Sequence, residues 1–368
     1  MTRDRVAPAA EVDHELAGTS VVTQGVRARV SGIGQASLAR FAWFVVAYNI
    51  AVIVWGAYVR ATGSGTGCGS HWPLCNGEFL PSRPQTQTVV EFTHRIMSGA
   101  SLVLVAILLL CCWRRTSKGD WPRRSAVAAA ALLLNEALLG ALLVLLDDPA
   151  GVNRSASHAL FLCLHFGNTL FLLAALALTA TWLSSSSPRF RFLRKPSTGI
   201  ATGLGLASVV LIGMTGSLAT LGDNLFPTRS VRQALVADFS SSSPALLRLR
   251  VLHPVAVVFG SLYVFWLLHS VWRKHERSLW MSLLPVTLAG QIALGAMNVI
   301  LLAPVSMQMT HLLVALIFWI LLVLVSADQL FSIAPSSVPL SRKNNTAADW
   351  SLAFKTTDPV SRRGGASS

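Results

Sequence analysis

Four histidines, His94, His165, His253 and His311, each fall within the first two turns of an even-numbered hydrophobic segment of the chain. Four imidazoles at one depth, two in each half, suit two bis-histidine haem sites, because a neutral imidazole nitrogen is the usual axial ligand of a b-type haem. A single intramembrane histidine is as often a hydrogen-bond partner between helices; four in register are not accounted for that way. Reactive chemistry belongs beside one pair, where Glu91-Phe-Thr-His94-Arg95 sets a carboxylate one helical turn before the first histidine. Such a group can accept or relay a proton at a haem edge, although an acid at a helix start also complements the macrodipole. Three residues before His253 and His311 stand Arg250 and Gln308, so only the N-terminal pair has a carboxylate at this spacing.

The loop before that helix, Gly63-Ser-Gly-Thr-Gly-Cys68-Gly-Ser-His-Trp-Pro-Leu-Cys75-Asn-Gly77, holds two of the five cysteines seven residues apart. On an outer, oxidising face they read as a disulfide, and closing so short a loop contributes roughly 2 to 3 kcal/mol on the chain-entropy account. A redox pair that passes electrons or meets substrate is the second reading, and the residues leave both open. Zinc would need more than two thiols, even with His71, and the glycines follow no strand, which excludes a phosphate loop. Cys111, Cys112 and Cys163 lie in apolar spans and read as packing residues.

The elements that position these groups are membrane spans. Hydrophobic residues make up 53% of the chain and charged ones 12%, which marks an integral membrane protein. Eight apolar runs, near residues 38–58, 91–112, 125–146, 159–182, 200–221, 252–271, 279–302 and 309–331, each approach the ~20 residues a bilayer core requires. The net charge of +14 resides in short loops, so nucleic acid is discounted as a partner and the lipid bilayer takes its place. Arg114, Arg115, Lys118, Arg123 and Arg124 follow the second run, Arg189, Arg191, Arg194 and Lys195 the fourth, and Arg273, Lys274 and Arg277 the sixth. By the positive-inside rule those loops and both termini are cytoplasmic, and the four histidines lie toward the extracytoplasmic side. Residues 1–37 and 332–368 read as disordered cytoplasmic tails, and the first 36 residues hold no apolar core long enough for a signal peptide.

The expected fold is all-α, eight transmembrane helices in two pseudo-symmetric four-helix bundles, residues 38–183 and 200–331, joined by a cytoplasmic linker at 184–199. An internal repeat supports the division: Glu136-Ala-Leu-Leu-Gly140 in the third span mirrors Gln291-Ile-Ala-Leu-Gly295 in the seventh. Gly56-Ala-Tyr-Val-Arg-Ala-Thr-Gly-Ser-Gly65 has a fainter echo in Thr215-Gly-Ser-Leu-Ala-Thr-Leu-Gly222. Parallel repeats share an axis along the membrane normal, so corresponding sites share a depth. His14, His71, His269 and His275 fall outside the pattern. His158, one residue before the fourth span and two turns before His165, competes with it; His165, in His-Phe-Gly-Asn, is deeper and is preferred.

At these residues the chain resembles the heme A synthase family, in its bacterial form with a cysteine pair in the first extracytoplasmic loop. Thr-Gly-Ser-Gly-x-Gly-Cys68, Trp-Pro-Leu-Cys75-x-Gly, Glu91-x-x-His94-Arg95, His165-Phe-Gly, His253, Gln291-x-x-x-Gly295 and His311 carry the resemblance across all eight spans. It implies an oxidoreductase of the plasma membrane that converts a methyl group of haem O to the formyl group of haem A, for use by terminal oxidases. It also implies that His253 and His311 are the iron ligands of a haem b cofactor, that His94 and His165 surround the substrate haem, that Glu91 is catalytic, and that Cys68 and Cys75 form the cysteine pair. Haem O would arrive from a haem O synthase, an unspecified membrane donor would supply electrons, and a homo-oligomer is one arrangement open to it. The family often has His-Arg in the sixth span, where this chain has His253-Pro254; Arg250 or Arg248 is then the cation left for a haem propionate.

A di-haem b-type cytochrome that only moves quinol electrons is the main rival, and a two-repeat transporter fits the histidines less well. The orientation has its own test: alkaline phosphatase fused within residues 147–156 should be active and within residues 185–195 inactive. The reverse pattern would overturn it.

Overall fold

The computed structural model describes residues 10–145, 156–185, 190–192, 196–271 and 279–333, with the backbone alone over residues 10–33, 156, 190–192, 270–271 and 332–333. Ten α-helices follow one another among these residues: α1 Ala10–Ala61, α2 Thr86–Arg115, α3 Trp121–Leu145, α4 Ala156–Ser184, α5 Pro196–Leu225, α6 Val231–Phe239, α7 Ala245–Arg248, α8 Leu252–Trp266, α9 Leu279–Ile300 and α10 Val305–Leu330. Eight spans are long and apolar enough to cross a membrane, α7 and α8 together forming one of them. The protein is a multi-pass membrane protein, and helices are the form in which an apolar chain satisfies its own backbone there.

The spans are those expected, with most ends lying a few residues farther out. α2 begins at Thr86 and α4 at Ala156, so His94 and His165 lie in third turns rather than second ones, and His158 is inside α4 instead of before it. Ser, Thr and Gln residues that look like loop in composition are helical at these ends because an apolar span has already nucleated the helix beside them. The same cooperativity carries α1 back to Ala10 through residues read as a disordered tail. The 222–251 connection, expected as a loop, holds α6 and α7, with Ser230 accepting from Gln233 N–H to cap α6. α7 passes through one 3₁₀ turn, Leu249–Val251, into α8. Pro254 cannot donate to the carbonyl four residues back, and the tighter turn precedes it there.

In the linker, β1 Phe190–Phe192 pairs antiparallel with β2 Phe331–Ile333 at the end of α10. The polar linker and the start of the C-terminal tail are therefore stitched together by backbone hydrogen bonds. The tail from residue 334 on lies outside the described residues.

α4 is the central helix: it packs on α1, α3, α5 and α10, and it has the largest buried share of any span. Polar side chains bond the helices within each half. Ser101 Oγ donates to Asn49 Oδ1 at 2.8 Å between α2 and α1, Thr179 Oγ1 to Ser125 Oγ at 2.8 Å between α4 and α3, and Tyr263 OH to the Ala201 carbonyl at 3.1 Å between α8 and α5. The halves meet where α10 crosses α4, and there the buried Trp319 donates its indole N–H to the Leu170 carbonyl at 2.7 Å. Trp319→Ala should cost about 3 kcal/mol by leaving a large void, whereas Trp319→Phe, which loses chiefly the hydrogen bond, should cost about 1 kcal/mol. Thermal unfolding in detergent checks this; equal loss in the two variants would contradict it.

Candidate functional site

Each of the four histidines is seated on a glycine of the span before its own. A Cβ added at Gly56 of α1 would lie 2.7 Å from His94 Cε1, at Gly140 of α3 3.6 Å from His165 Cε1, at Gly216 of α5 3.0 Å from His253 Cε1, and at Gly295 of α9 3.1 Å from His311 Cε1. The same ring atom is nearest in every case. At Gly56, Gly216 and Gly295 the ring comes too close for a side chain without a shift, whereas the 3.6 Å at Gly140 is ordinary contact.

The residue one turn before the glycine attends the ring in three of the four. The Glu136 carboxylate lies 3.4 Å from His165 Nδ1, the Ile212 carbonyl 3.1 Å from His253 Nδ1, and the Gln291 amide nitrogen 3.1 Å from His311 Nε2. Glu136 is further held by α4, where Asn168 Nδ2 and Thr169 Oγ1 donate to its two oxygens. Glu136-x-x-x-Gly140 and Gln291-x-x-x-Gly295 are thus one device, a partner and a socket for the next histidine.

His165 lies within electrostatic reach of His94, and both lie within reach of Arg60; His311 lies within reach of His253. Among the described residues no three His, Cys, Asp or Glu side chains gather as a bound ion would require. Two imidazoles per iron is instead what these residues can offer a haem, and their chemistry fits one. His253 donates Nδ1–H to a carbonyl, leaving Nε2 for a metal, while His94, His165 and His311 each have a buried Nδ1 without a hydrogen-bond partner, the Glu136 carboxylate standing 3.4 Å from that of His165. Gly140 faces His165, not His158.

Cys68 and Cys75 form a disulfide, and both are fully buried. Its loop is clamped to α2. Glu91, 3% exposed, accepts from the Cys68 N–H at 2.8 Å through one oxygen and pairs with Arg95 through the other. The Arg95 guanidinium also donates to the His71 and Leu74 carbonyls, and Thr88 Oγ1 to the Gly67 carbonyl at 2.8 Å. Glu91 is therefore committed to the loop rather than open beside His94, and Arg95 is occupied in the same way.

Arg250 does not stand in as a free cation near His253. It is 8% exposed and bonded to Asp223 at 2.7 Å and to Asp238 at 2.6 Å, since a buried guanidinium is retained only when its donors are satisfied. Arg248 is exposed. The second half does have acids at this end, and they neutralise Arg250. Arg60 is a residue that the motif reading passed over; its register, four residues after Gly56 as Thr220 is after Gly216, is visible only once the glycines are matched. His71 serves through its backbone, and His269 stacks on Phe265 away from the four. Cys112 and Cys163 are buried packing residues, as their spans suggested.

Residues 39–323 match the family described as cytochrome oxidase assembly protein, COX15-CtaA. A Thermus thermophilus protein named protoheme IX farnesyltransferase is 43% identical over 296 residues, which cover 80% of this chain and 48% of that one. Bacillus mycoides and Bacillus cereus proteins named heme A synthase are each 32% identical, over 141 and 139 residues, about 38% of this chain and 42% of theirs. The chain thus matches about half the length of these curated relatives. By the extent of the family match and its place across the eight spans, the chain belongs to the COX15-CtaA family of cytochrome oxidase assembly proteins.

Proposed function

We propose that this protein is a heme A synthase, which oxidises a ring methyl group of haem O to a formyl group through successive hydroxylations. The observation that carries the reading is an inequality between two similar sites. All four imidazoles are seated alike on glycines, yet Glu136, Arg60 and the Glu91-clamped disulfide loop attend His94 and His165, while the matching places in the second half hold Gln291 and Thr220. A site that transforms its occupant needs fixed charges for orientation and proton handling, whereas a site that retains a cofactor needs chiefly ligands. The Bacillus relatives bear this enzyme's name, and protohaem farnesylation, for which the Thermus relatives are named, yields the haem O that the reaction consumes. That supports a handover from a haem O synthase.

In this reading His94 and His165 flank the substrate haem O, and His253 and His311 are the iron ligands of a haem b cofactor. Haem b, when bound, supplies one-electron transfer between a membrane donor and the substrate site. The Ile212 carbonyl holds the His253 ring in one tautomer. Arg60 offers a cation to an anionic edge of the substrate. Glu91 answers for catalysis by fixing the loop against the turn that precedes His94, with the disulfide as a staple that keeps water off that side. The distribution of basic residues supports sites on the extracytoplasmic side of the plasma membrane, with both termini cytoplasmic.

Expressed with a supply of haem O and analysed by chromatography of the extracted haems, the wild type should yield hydroxylated and formyl haem. Glu91→Ala should lower that yield at least tenfold and leave bound haem b intact. Haem b alone from the wild type would point to the electron-carrying cytochrome instead. The histidines should divide in the same experiment: His253→Ala and His311→Ala lose the haem b spectrum, His94→Ala and His165→Ala keep it and lose product. His158→Ala should change neither, and loss of product in that variant would transfer the ligand role to it.

A further inference from the structure

The two spans that carry the socket glycine and its upstream partner differ at one functional position. α3 presents a carboxylate, Glu136, to His165, and α9 presents an amide, Gln291, to His311 at the same distance from the glycine. Glu136 is an acid inside an apolar span with its side chain 16% exposed, a placement that is costly unless the group is satisfied and used. It is satisfied by design of the neighbouring helix. Asn168 donates to one oxygen and to the Leu132 carbonyl, Asn135 donates to Asn168 Oδ1, and Thr169 donates to the other oxygen. These bonds leave the oxygen shared with Thr169 turned toward His165 Nδ1. In the second half Gln291 meets His311 at Nε2 and brings no charge.

We propose that Glu136 is a positioning residue for the N-terminal haem site: its carboxylate, 3.4 Å from a His165 Nδ1 that has no hydrogen-bond partner, draws on that N–H, fixes the ring and makes it a stronger donor to iron than His311. The proposal rests on the reading that His94 and His165 hold a haem. A carboxylate behind a metal-bound imidazole fixes the tautomer and raises ligand basicity, which favours the ferric over the ferrous state; an amide does so less. Arg60, the other charged group near both rings, is unchanged in the variants that test this.

The test is a potentiometric titration of the purified, haem-loaded protein, with the N-terminal haem identified as the one whose signal His165→Ala removes. Glu136→Gln keeps the size of the side chain, removes its charge and should fold. It is expected to keep the bis-histidine spectrum of that haem while shifting its ferric-to-ferrous ratio at a fixed poise about tenfold toward ferrous, about 59 mV for one electron. Gln291→Glu should shift the C-terminal haem the opposite way, and Glu136→Asp, which keeps the charge, should fall between wild type and Glu136→Gln. Unmoved potentials in both Glu136→Gln and Gln291→Glu, with spectra retained, overturn the proposal and leave the site reading intact. A wild type that holds no haem at His94 and His165 overturns both.

Discussion

In a bilayer an imidazole finds neither water for its ring nitrogens nor spare volume for its ring, so a neighbouring helix must provide both. The preceding span turns a glycine to the ring four times, and at Gly56, Gly216 and Gly295 the approach is too close for a side chain without a shift. It provides a hydrogen-bond partner twice from one turn before that glycine, through Ile212 and Gln291, and at the matching place sets the Glu136 carboxylate 3.4 Å from His165 Nδ1. Once the socket and partner are fixed, much else follows: which spans must be adjacent, how close their axes come, and why the histidines share a depth. The polar bonds of Asn49, Ser125, Thr179 and Tyr263 hold the helices at that separation along the rest of their length.

Identical sockets leave the difference between the halves to a few substitutions. Glu136 against Gln291 and Arg60 against Thr220 place opposite charges around one pair of rings and none in the same register of the other. The loop that closes on α2 adds a covalent staple and a buried ion pair. The second half also encloses an ion cluster, Arg250 with Asp223 and Asp238, but its charges are consumed within the cluster. Symmetry of backbone and asymmetry of charge are thus separable layers of the same molecule.

Much of this was legible in the chain. Hydropathy gave the eight spans because length and apolarity alone decide which helices can cross. Histidine depth gave the four ring positions, and spacing gave the Cys68–Cys75 disulfide. Helix ends were less legible, since Thr86–Val90 and Ala156–His158 are polar or short and are helical only by continuation from the spans. The direction in which a charged side chain turns was not legible at all. Glu91 and Arg95 sit three residues before and one after His94, where a ligand-facing role is natural, yet both are drawn to the backbone of the disulfide loop. Arg250 is likewise claimed by aspartates 27 and 12 residues before it in the chain, and no local pattern announces contacts across such distances. The glycines were present in the quoted motifs without their purpose, because a socket exists only when the facing helix is known.

The contact between α4 and α10 joins unlike residues at matched positions of the repeat. Trp319 stands eight residues after His311, and the residue eight after His165 is Leu173, so the two occupy matched places on helices that the repeat relates. Leu170, whose carbonyl receives the indole, is likewise matched by Leu316, and all four are buried. In a dimer of identical four-helix units these positions would face their own copies across the axis, and two tryptophans would have to share the space that one tryptophan and one leucine fill. Within one chain the two places are free to differ, and they do. The halves therefore meet through unlike surfaces, the indole of one against a main-chain carbonyl of the other.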